Sequence, residues 1–347
     1  MCKPLRVPYR LFVCLALALC CVVDSEAQTA ADDPSKLRPE IEKFIAYMAQ
    51  THGFSARDLR LLFAKVQPSQ DVTRAMAAPS TAKPWYEFKP LFVDQSRIAG
   101  GVRFWNDNGE VLTQARNEFG VPESIIVALI GVETRYGRNT GGFRVMDTLT
   151  TLAFDWPSRR DFFRRELEQF LLLAREQGWD PLTIKGSFAG ALGMPQFMPG
   201  SYRRYAIDYN KDGQIDLWRS AADVIGSVSS YLKEFGWKDG EPVVAPARVE
   251  AADPQVLLEL GLKPSLTLDE WRIRGADVTL TLPDSLVACV FSVDLAGGPE
   301  FWFGFDNFYA LLQYNRSRNY AMAIVELARE ITLERERLGT LPAVTPE

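Results

Sequence analysis

Apolar residues recur at the three- and four-residue spacing of amphipathic helices along most of the 347-residue chain. Residues 67–95 depart from this pattern. They hold four prolines and several aromatics, so we expect them to run extended against the rest of the chain. The spacing predicts long helices over 39–50, 55–66, 96–119, 158–178 and 306–338, with shorter ones over 148–154 and 221–235.

The pattern changes between residues 240 and 305, where Val, Thr and aromatic residues form short runs bounded by Pro and Gly. Such runs are typical of strands in a small antiparallel sheet. The predicted strands cover residues 242–249, 277–282, 286–293 and 300–303. The chain is too long for one small core, so two or three subdomains of a mainly α, α+β protein are expected.

The predicted helix over residues 122–137 is apolar nearly all round, as in a helix buried within a core. Ile126, Leu129 and Ile130 share one face, and the next member of that face is Glu133. Burial without a charge partner would raise the pKa of this carboxyl and keep it protonated, as a general acid requires. The alternative is a helix-end ion pair with Arg135, Arg138 or another cation.

Composition restricts the kinds of catalytic and binding site that the chain can form. The apolar fraction of 47% and charged fraction of 24% are those of a soluble globular protein, and a net charge of −5 argues against nucleic-acid binding. The single histidine, His52, excludes Ser-His-Asp and Cys-His catalysis and His-rich zinc sites. Catalysis must therefore use carboxylates, amides, hydroxyls and aromatics.

The N-terminus has the pattern of a targeting segment. Three basic residues precede an apolar run over 11–23 that is short for a membrane span, and small residues precede residue 28. We predict a signal peptide over 1–27 and export. Lipid anchoring at Cys20 or Cys21 is the less favoured alternative, because Leu19 is large. Removal of this segment leaves Cys289 as the one cysteine, which we expect to be a buried thiol.

Residues 208–223 resemble a calcium-binding EF-hand loop. Arg219 stands where this loop normally has a bidentate Glu, so only weak affinity is expected, with Asp223 as the nearest replacement. Asp223 also fits a helix cap after Ser220, and an Asx turn without metal is the alternative. The predicted structural Ca²⁺ ligands are Asp208, Asn210, Asp212, Gln214, Asp216 and Asp223.

Several collinear motifs resemble those of the lytic murein transglycosylase B family, over about residues 39–335. They begin with Gly-Val-Glu-Thr-Arg-Tyr-Gly at 131–137 and a Gly-rich run at 185–193, followed by Pro-Gln-Phe-Met-Pro at 195–199. Residues 201–202, 208–218 and 225–228 and the pair Tyr314-Asn315 complete the resemblance.

The resemblance implies a lysozyme-like core over 111–238, a small β domain over 239–304, and a helical domain that combines 36–110 with 305–338. It implies cleavage of peptidoglycan between N-acetylmuramic acid and N-acetylglucosamine, without water, to give 1,6-anhydro ends. Glu133 would be the single general acid and base, and no cofactor would be needed for the chemistry. The residues that match substrate contacts are Ser187, Gln196, Tyr231, Tyr314, Asn315, Tyr320 and Tyr86.

The same resemblance implies a periplasmic protein, expected to be a monomer. Peptidoglycan glycan strands are the implied partner, and cell-wall synthesis or division proteins are further candidate partners. Two alternatives stay open. One is a hydrolytic muramidase that uses a second carboxylate, such as Asp147 or Asp155. The other is a non-catalytic protein that binds the cell wall.

Overall fold

The computed structural model describes residues 37–77 and 83–339. The predicted signal peptide, with Cys20 and Cys21, lies outside the described residues. Within those ranges the chain is mainly helical with a small antiparallel sheet, as the sequence predicts. None of the described helices is both long and apolar enough to span a membrane.

The helices are α1 Pro39–His52, α2 Ala56–Phe63, α3 Gln70–Ala77, α4 Trp85–Phe92, α5 Gln95–Asp107, α6 Gly109–Phe119, α7 Glu123–Thr134, α8 Val145–Asp155, α9 Arg160–Gln177, α10 Pro199–Tyr205, α11 Ala221–Glu234, α12 Gln255–Leu258, α13 Leu268–Ile273, α14 Asp306–Tyr314 and α15 Arg318–Gly339. The strands are β1 Phe143–Arg144, β2 Lys185–Gly186, β3 Val244–Val249, β4 Leu266–Thr267, β5 Ala276–Val278, β6 Val287–Leu295 and β7 Gly298–Gly304.

The last five strands form one sheet in the order β4-β6-β7-β3-β5, with every neighbouring pair antiparallel. Both faces of β6 are covered. Cys289, Phe291 and Val293 belong to the large core shared with the helices, whereas Ala288 and Val290 belong to a smaller core around Trp271. This alternation follows from the two-residue period of a strand.

Helix α7 lies at the centre of the large core, where α15, α5, α6 and α11 pack around it. The C-terminal helix α15 also packs on α4. The N-terminal and C-terminal parts of the chain therefore meet around α7, which brings distant residues to its C-terminal end.

The prediction of an extended segment over 67–95 is wrong, because this segment forms α3, α4 and the start of α5. Pro84 directly precedes α4, where its fixed φ suits a helix start, and Pro90 lies within the helix. Trp85 and Phe88 are buried, at 3% and 2% exposure, and this burial outweighs the cost of Pro90.

Two predicted long helices are also interrupted. The helix over 96–119 breaks at Asn108, whose side chain donates to the carbonyl of Phe104 at 2.8 Å and ends α5. The helix over 306–338 breaks at residues 315–317, between α14 and α15. Local side-chain hydrogen bonding of Asn and Ser competes with the helical pattern at such positions.

Candidate active site

Glu133 lies in the last turn of α7, whose other residues are almost all buried. The side chain is half-buried, and the Tyr320 hydroxyl donates a hydrogen bond to its Oε1. Burial raises the pKa of Glu133 to about 7, and the hydrogen bond from Tyr320 acts in the opposite direction. Arg135 pairs with Asp94 at 3.5 Å, and no described Lys or Arg forms an ion pair with Glu133. The helix-end ion pair is therefore not the arrangement found.

The helix ends earlier than predicted, at Thr134 rather than at Gly137. Arg135, Tyr136 and Gly137 follow with φ values of 52°, 62° and 83°. Three successive residues in the left-handed region, two of them not glycine, form a strained turn directly after Thr134, one residue beyond Glu133. Packing of the Tyr136 side chain stabilises this turn.

The Tyr136 ring lies against the α7 backbone at Gly131, where a Cβ atom would be only 2.4 Å from its hydroxyl. Gly100 and Gly101 on α5 approach the same ring. The Tyr136 hydroxyl donates to the carbonyl of Arg97 at 2.8 Å. The ring thus fills a slot between α5 and α7 that only residues without side chains can form.

Arg97 fastens the same end of α7 from α5. Its guanidinium is buried and donates to the Gly131 carbonyl at 3.1 Å, to the Leu91 carbonyl at 2.6 Å and to Asp94 at 2.7 Å. The Gly131 carbonyl also accepts from the Arg135 amide at 3.1 Å, so Arg97 gives it a second donor from outside the helix. The last turn of α7, and with it Glu133, is held from outside the helix.

The segment after β2 contacts Thr134, the residue next to Glu133. The Thr134 hydroxyl accepts from the Gly137 amide at 3.0 Å and donates to the Met194 carbonyl at 2.9 Å. Gly193 has a φ of 68°, and a Cβ there would lie 2.6 Å from the Leu217 carbonyl. The glycine-rich stretch therefore permits close backbone approach beside the acid.

Gln196 lies in this turn with a φ of 53°. Its side-chain amide donates to the carbonyls of Gly193 at 2.8 Å and Thr140 at 3.2 Å. Ser187 begins the preceding loop, where its hydroxyl accepts from the amides of Ala191 at 3.0 Å and Ala189 at 3.3 Å. Both side chains make hydrogen bonds within the chain and so hold the shape of residues 187–196. Their predicted contacts with a ligand stay predictions.

Three tyrosines complete the group around Glu133. Beside Tyr320, Tyr314 donates to the Pro195 carbonyl, and Tyr231 donates to the Gln313 carbonyl at 2.8 Å. The Tyr231 and Tyr314 rings are 4.8 Å apart. Burial, and then the charge of Glu133, raise the pKa values of Tyr314 and Tyr320 well above their usual range, so both remain hydrogen-bond donors.

Two of the predicted residues lie farther out. Asn315 directly follows Tyr314 at the end of α14 and is exposed, with its side-chain Oδ1 accepting from the Ser317 amide at 3.1 Å. Tyr86 is exposed on α4, and none of the hydrogen bonds within the described chain joins it to this group.

The candidates for a second catalytic carboxylate have other partners. Asp147 accepts from Arg144 at 2.7 and 2.8 Å and from the Gln67 amide at 2.9 Å. Asp155 pairs with Arg38 at 2.5 Å. These ion pairs and hydrogen bonds tie both side chains to structural positions. Neither aspartate supports the muramidase alternative.

The loop at 208–223 has the backbone of an Asx-rich turn. Asp208 accepts from the amides of Asp212 at 3.1 Å and Gly213 at 2.8 Å, and Asp212 accepts from Gln214 at 2.9 Å. Asp223 is fully buried and accepts from the amides of Tyr209 at 2.9 Å and Asp216 at 2.9 Å. Its predicted role as a calcium ligand therefore competes with these bonds.

The fit of this loop to a metal is partial. Asp208, Asn210, Asp212 and Asp216 are oxygen donors of the type that Ca²⁺ prefers. Among the described residues, however, no group of three or more acidic, Cys or His side chains is arranged to hold a metal ion. The oxygen atoms of these side chains suit calcium, but in this structure they accept hydrogen bonds from backbone amides.

Sequence reasoning missed Tyr136, Arg97 and Thr134, which position Glu133 rather than contact a ligand. One signal was available for the first of them, because Gly100 and Gly101 are adjacent glycines within a predicted helix. Such a pair in a helix costs stability unless something packs closely against it. Arg97 carries no comparable signal.

The chain is similar in sequence and fold to several known proteins. A family model described as the transglycosylase SLT domain matches residues 36–329. The chain is 38% identical over 307 residues to the membrane-bound lytic murein transglycosylase B of Escherichia coli (strain K12), covering 86% of this chain and 84% of that protein. The solved structure of the soluble lytic transglycosylase SltB1 from Pseudomonas aeruginosa is 46% identical, with a TM-score of 0.80, covering 86% of this chain and 100% of that chain.

Two solved structures of similar proteins contain ligands. The Escherichia coli lytic transglycosylase Slt35, in complex with calcium, is 37% identical with a TM-score of 0.77, covering 86% of this chain and 94% of that chain. SltB3 from Pseudomonas aeruginosa, in complex with NAG-NAM-pentapeptide, is 28% identical with a TM-score of 0.73, covering 88% of this chain and 82% of that chain.

Proposed function

Because the chain belongs to the transglycosylase SLT family, we propose that it is a peptidoglycan lytic transglycosylase with Glu133 as its single general acid and base. It cleaves the β-1,4 bond between N-acetylmuramic acid and N-acetylglucosamine and leaves 1,6-anhydro ends. The observation that carries this proposal is the half-buried Glu133, whose pKa is raised to about 7 and which accepts a hydrogen bond from Tyr320. A carboxyl with such a pKa holds a proton near neutral pH and can also release it.

In the first step Glu133 donates its proton to the bridging oxygen as the bond from that oxygen to C1 of the muramic acid breaks. The N-acetylglucosamine part leaves with a hydroxyl group, and the sugar that remains is oxocarbenium-like. Tyr320 donates to the carboxylate that forms, which stabilises its new charge.

In the second step the Glu133 carboxylate takes the proton of the C6 hydroxyl of the same sugar, while that oxygen forms its bond to C1. The ring closes, Glu133 is protonated again, and no water is consumed. A hydrolytic glycosidase needs a second carboxylate to activate water or to attack the sugar. An internal hydroxyl removes that need, because its effective molarity can reach ~10⁵ M or more.

The remaining predicted residues would line the substrate-binding groove beside Glu133. Gln196 and Ser187 would orient acetamido groups, while Tyr231, Tyr314 and Tyr320 would surround the reacting sugar. Asn315 and Tyr86 would contact the glycan strand farther out. The support is the position of the tyrosines and of the Gln196 turn around Glu133.

We predict that Glu133→Gln abolishes the formation of anhydro ends while the fold is kept. The amide can still accept from Tyr320 but cannot deliver a proton, so kcat/KM should fall by about 10²-fold or more. Mass spectrometry of digested murein separates anhydro ends from reducing ends, which are heavier by one water. Glu123→Gln, a half-buried Glu→Gln change on the same helix, is the matched control and should retain activity. Full activity of Glu133→Gln, or reducing ends alone from the wild type, would refute the proposal.

Calcium binding by the loop at 208–216 is part of the proposal. It is supported by the oxygen donors of the loop and by the calcium complex of Slt35. Asp208, Asn210, Asp212 and Asp216 would supply side-chain oxygens and Gln214 its carbonyl, while Asp223 would join them only by giving up its backbone partners. The ion would stabilise the loop and take no part in the chemistry.

We predict that Ca²⁺ raises the melting temperature of the protein. A ligand at one hundred times its Kd stabilises the folded state by about 2.7 kcal/mol. Asp212→Ala should remove the calcium-dependent shift, whereas Asp107→Ala, an exposed aspartate on α5, should keep it. Melting curves with Ca²⁺ and with a chelator that coincide for the wild type would contradict calcium binding.

Export to the periplasm, a monomeric state and the predicted domain limits complete the proposal. Mass determination of the mature chain tests removal of residues 1–27 and would reveal lipid at Cys20 or Cys21.

Light scattering in solution tests the monomer, and a dimer mass would contradict it. Co-purification from a bacterial envelope tests for cell-wall synthesis or division proteins, and their absence from the eluate would argue against such partners.

A further inference from the structure

Helix α4 makes polar contacts toward both of the helices that carry Glu133 and Tyr320. At its C-terminal end, the Leu91 carbonyl accepts from the Arg97 guanidinium at 2.6 Å. The same guanidinium donates to the Gly131 carbonyl of α7, two residues before Glu133, at 3.1 Å. The start of α4 contacts α15, close to Tyr320. Helix α4 therefore connects the two sides of the hydrogen bond between Tyr320 and Glu133.

Two polar contacts join α4 to α15. Asn319, the residue before Tyr320, is buried and donates to the Lys83 carbonyl at 3.0 Å. About two turns farther along α15, Glu326 accepts from Lys89 at 2.6 Å. The two contacts lie at separate points along α15, so together they fix both its position and its direction relative to α4.

The ion pair at Glu326 is partly removed from solvent. Glu326 is a buried residue, and a buried carboxylate is costly unless a cation pairs with it. Arg329 lies 3.2 Å from the carboxylate but belongs to the same helix. Lys89 comes from α4, so its pairing with Glu326 ties the two helices together.

These contacts add direction to a packing that is otherwise apolar. Helix α15 also packs directly on α7, through faces on which most buried residues are apolar. Apolar attraction is not directional, whereas a hydrogen bond weakens steeply when its length and angle depart from the optimum. The hydrogen bond from Tyr320 to Glu133 is therefore sensitive to small shifts of α15 along α7.

We propose that α4 is a brace for the pair Glu133 and Tyr320, and that Asn319 and Lys89 are positioning residues for the reaction. They hold α15 where the Tyr320 hydroxyl reaches the carboxyl, and they act on Glu133 through Tyr320. The effect on the reaction rests on the proposed function, whereas the effect on the hydrogen bond rests on the contacts alone.

The titratable groups around Glu133 make this role measurable. Burial and the hydrogen bond from Tyr320 act on the pKa of Glu133, and Tyr314 and Tyr231 are the neighbouring tyrosines from α14 and α11. A change at either positioning residue should reach the carboxyl through the position of Tyr320. Loss of that hydrogen bond should raise the pKa of Glu133, because the bond stabilises the charged carboxylate.

The test measures the pKa of Glu133 by carbon NMR of its carboxyl without substrate, and the pH profile of anhydro-end release. Asn319→Leu should move the titration and the alkaline limb to higher pH. It should also lower kcat/KM by about threefold to tenfold, since the hydrogen bond is weakened rather than removed. Lys89→Gln should act in the same direction, whereas Lys89→Arg keeps the ion pair with Glu326 and should retain the wild-type profile.

Two control variants separate positioning from a general loss of stability. Lys83→Gln removes an exposed ion pair at the start of α4 and should leave the profile unchanged, because the Lys83 carbonyl still accepts from Asn319. Asn307→Leu removes a buried asparagine of α14 that donates to backbone carbonyls at 238 and 241. It should lower the melting temperature while the pKa of Glu133 stays in place.

A double variant tests whether the effect passes through Tyr320. In a Tyr320→Phe background, Asn319→Leu should not raise the pKa of Glu133 further, because the hydrogen bond is already lost. Equal shifts with and without the Tyr320 hydroxyl would overturn the proposal, and so would an unchanged pKa in Asn319→Leu and Lys89→Gln. If Asn319→Leu does not fold, Lys89→Gln decides alone.

Failure of the proposed function is distinguishable from failure of the brace. If the proposed function is wrong, the wild type releases no anhydro ends from murein. The carboxyl titration needs no substrate, so it would still show whether Asn319 and Lys89 position Tyr320.

Discussion

At the scale of single residues, two opposing effects on the pKa of Glu133 would set the proposed chemistry. Burial raises its pKa to about 7, and the hydrogen bond from Tyr320 partly opposes that rise. A lone acid that must later act as a base benefits from a pKa near the working pH, where neither proton transfer is strongly uphill. Tyr320 tunes this balance from α15, which lies far from α7 in sequence.

Removal of the Tyr320 hydroxyl should change the pH dependence of the reaction. In the wild type kcat/KM should fall as pH rises through about 7, because Glu133 must be protonated to act as the acid. In Tyr320→Phe the carboxylate loses its hydrogen bond, so its pKa should increase and the alkaline limb should move to higher pH. The overall rate should fall by about tenfold or more, since one charge-assisted hydrogen bond is lost.

Tyr309→Phe is the matched control for this prediction, because Tyr309 is a half-buried tyrosine on α14. Its pH profile should coincide with that of the wild type. An alkaline limb that stays in place in Tyr320→Phe would show that Tyr320 does not interact with Glu133 in the active protein.

At the scale of elements, α7 depends on side chains from other helices to place its last turn. The Tyr136 ring occupies the slot beside Gly131, and Arg97 binds the Gly131 carbonyl. The turn after Glu133 would not persist without such packing, because two of its residues are not glycine and have positive φ. The position of the acid thus depends on how α5 packs on α7.

Gly131→Ala tests this dependence. The new Cβ would lie 2.4 Å from the Tyr136 hydroxyl, so the ring and the strained turn must shift. Overpacking of this kind should cost about 1–3 kcal/mol of unfolding free energy, and activity should fall further than stability alone explains. Thermal melting and the rate of anhydro-end release measure the two effects.

Gly109→Ala provides the comparison, since a Cβ at the start of α6 meets nothing within 4 Å. This change should be neutral, or stabilising by up to about 1 kcal/mol, because Ala favours helix over Gly. A Gly131→Ala protein with wild-type melting and wild-type activity would show that Tyr136 does not position α7.

At the scale of the whole molecule, the sheet and the helices share one large core. Cys289 belongs to that core at 1% exposure, and burial raises the pKa of its thiol to about 12. A buried thiol with a high pKa is unreactive, as only the thiolate attacks a disulfide. The rate at which Cys289 reacts with a thiol reagent therefore reports unfolding of the core around it.

We predict that, in a protein produced without residues 1–27, Cys289 reacts with a thiol reagent only after unfolding. Labelling in native buffer should be about a thousandfold or more slower than in denaturant, given the small unfolded fraction of a stable protein. Cys289→Ala should show no labelling in either condition. Rapid labelling of the native protein would contradict the burial of this strand.

The sequence predicted what depends on local pattern and could not predict what depends on distant contacts. Glu133 was recognisable because it interrupts an apolar stripe, and the strands were recognisable from their bounded Val-rich and Thr-rich runs. The hydrogen bond between Tyr320 and Glu133 joins residues separated by 187 positions, so no spacing rule reaches it. The tyrosines were found only through the family resemblance.

The errors have the same physical origin. Four prolines indicated an extended segment over 67–95, yet the burial of Trp85 and Phe88 against the rest of the chain makes α4 favourable. The helix break at residues 315–317 was also missed, although it separates Tyr314 from Tyr320. In residues 67–95 tertiary packing outweighed the local preference of proline for extended structure. At residues 315–317 the apolar spacing continues across the break, so the spacing alone did not reveal it.

The burial of strand β6 limits where the protein can be truncated. Because Phe291 and Val293 fill space between the helices, a fragment that ends before the sheet would leave a water-exposed void in the helical core. The sheet thus supports the helical part of the structure and is not an independent attachment. Truncations intended to yield a minimal enzyme should retain residues 287–304, whatever the substrate requires.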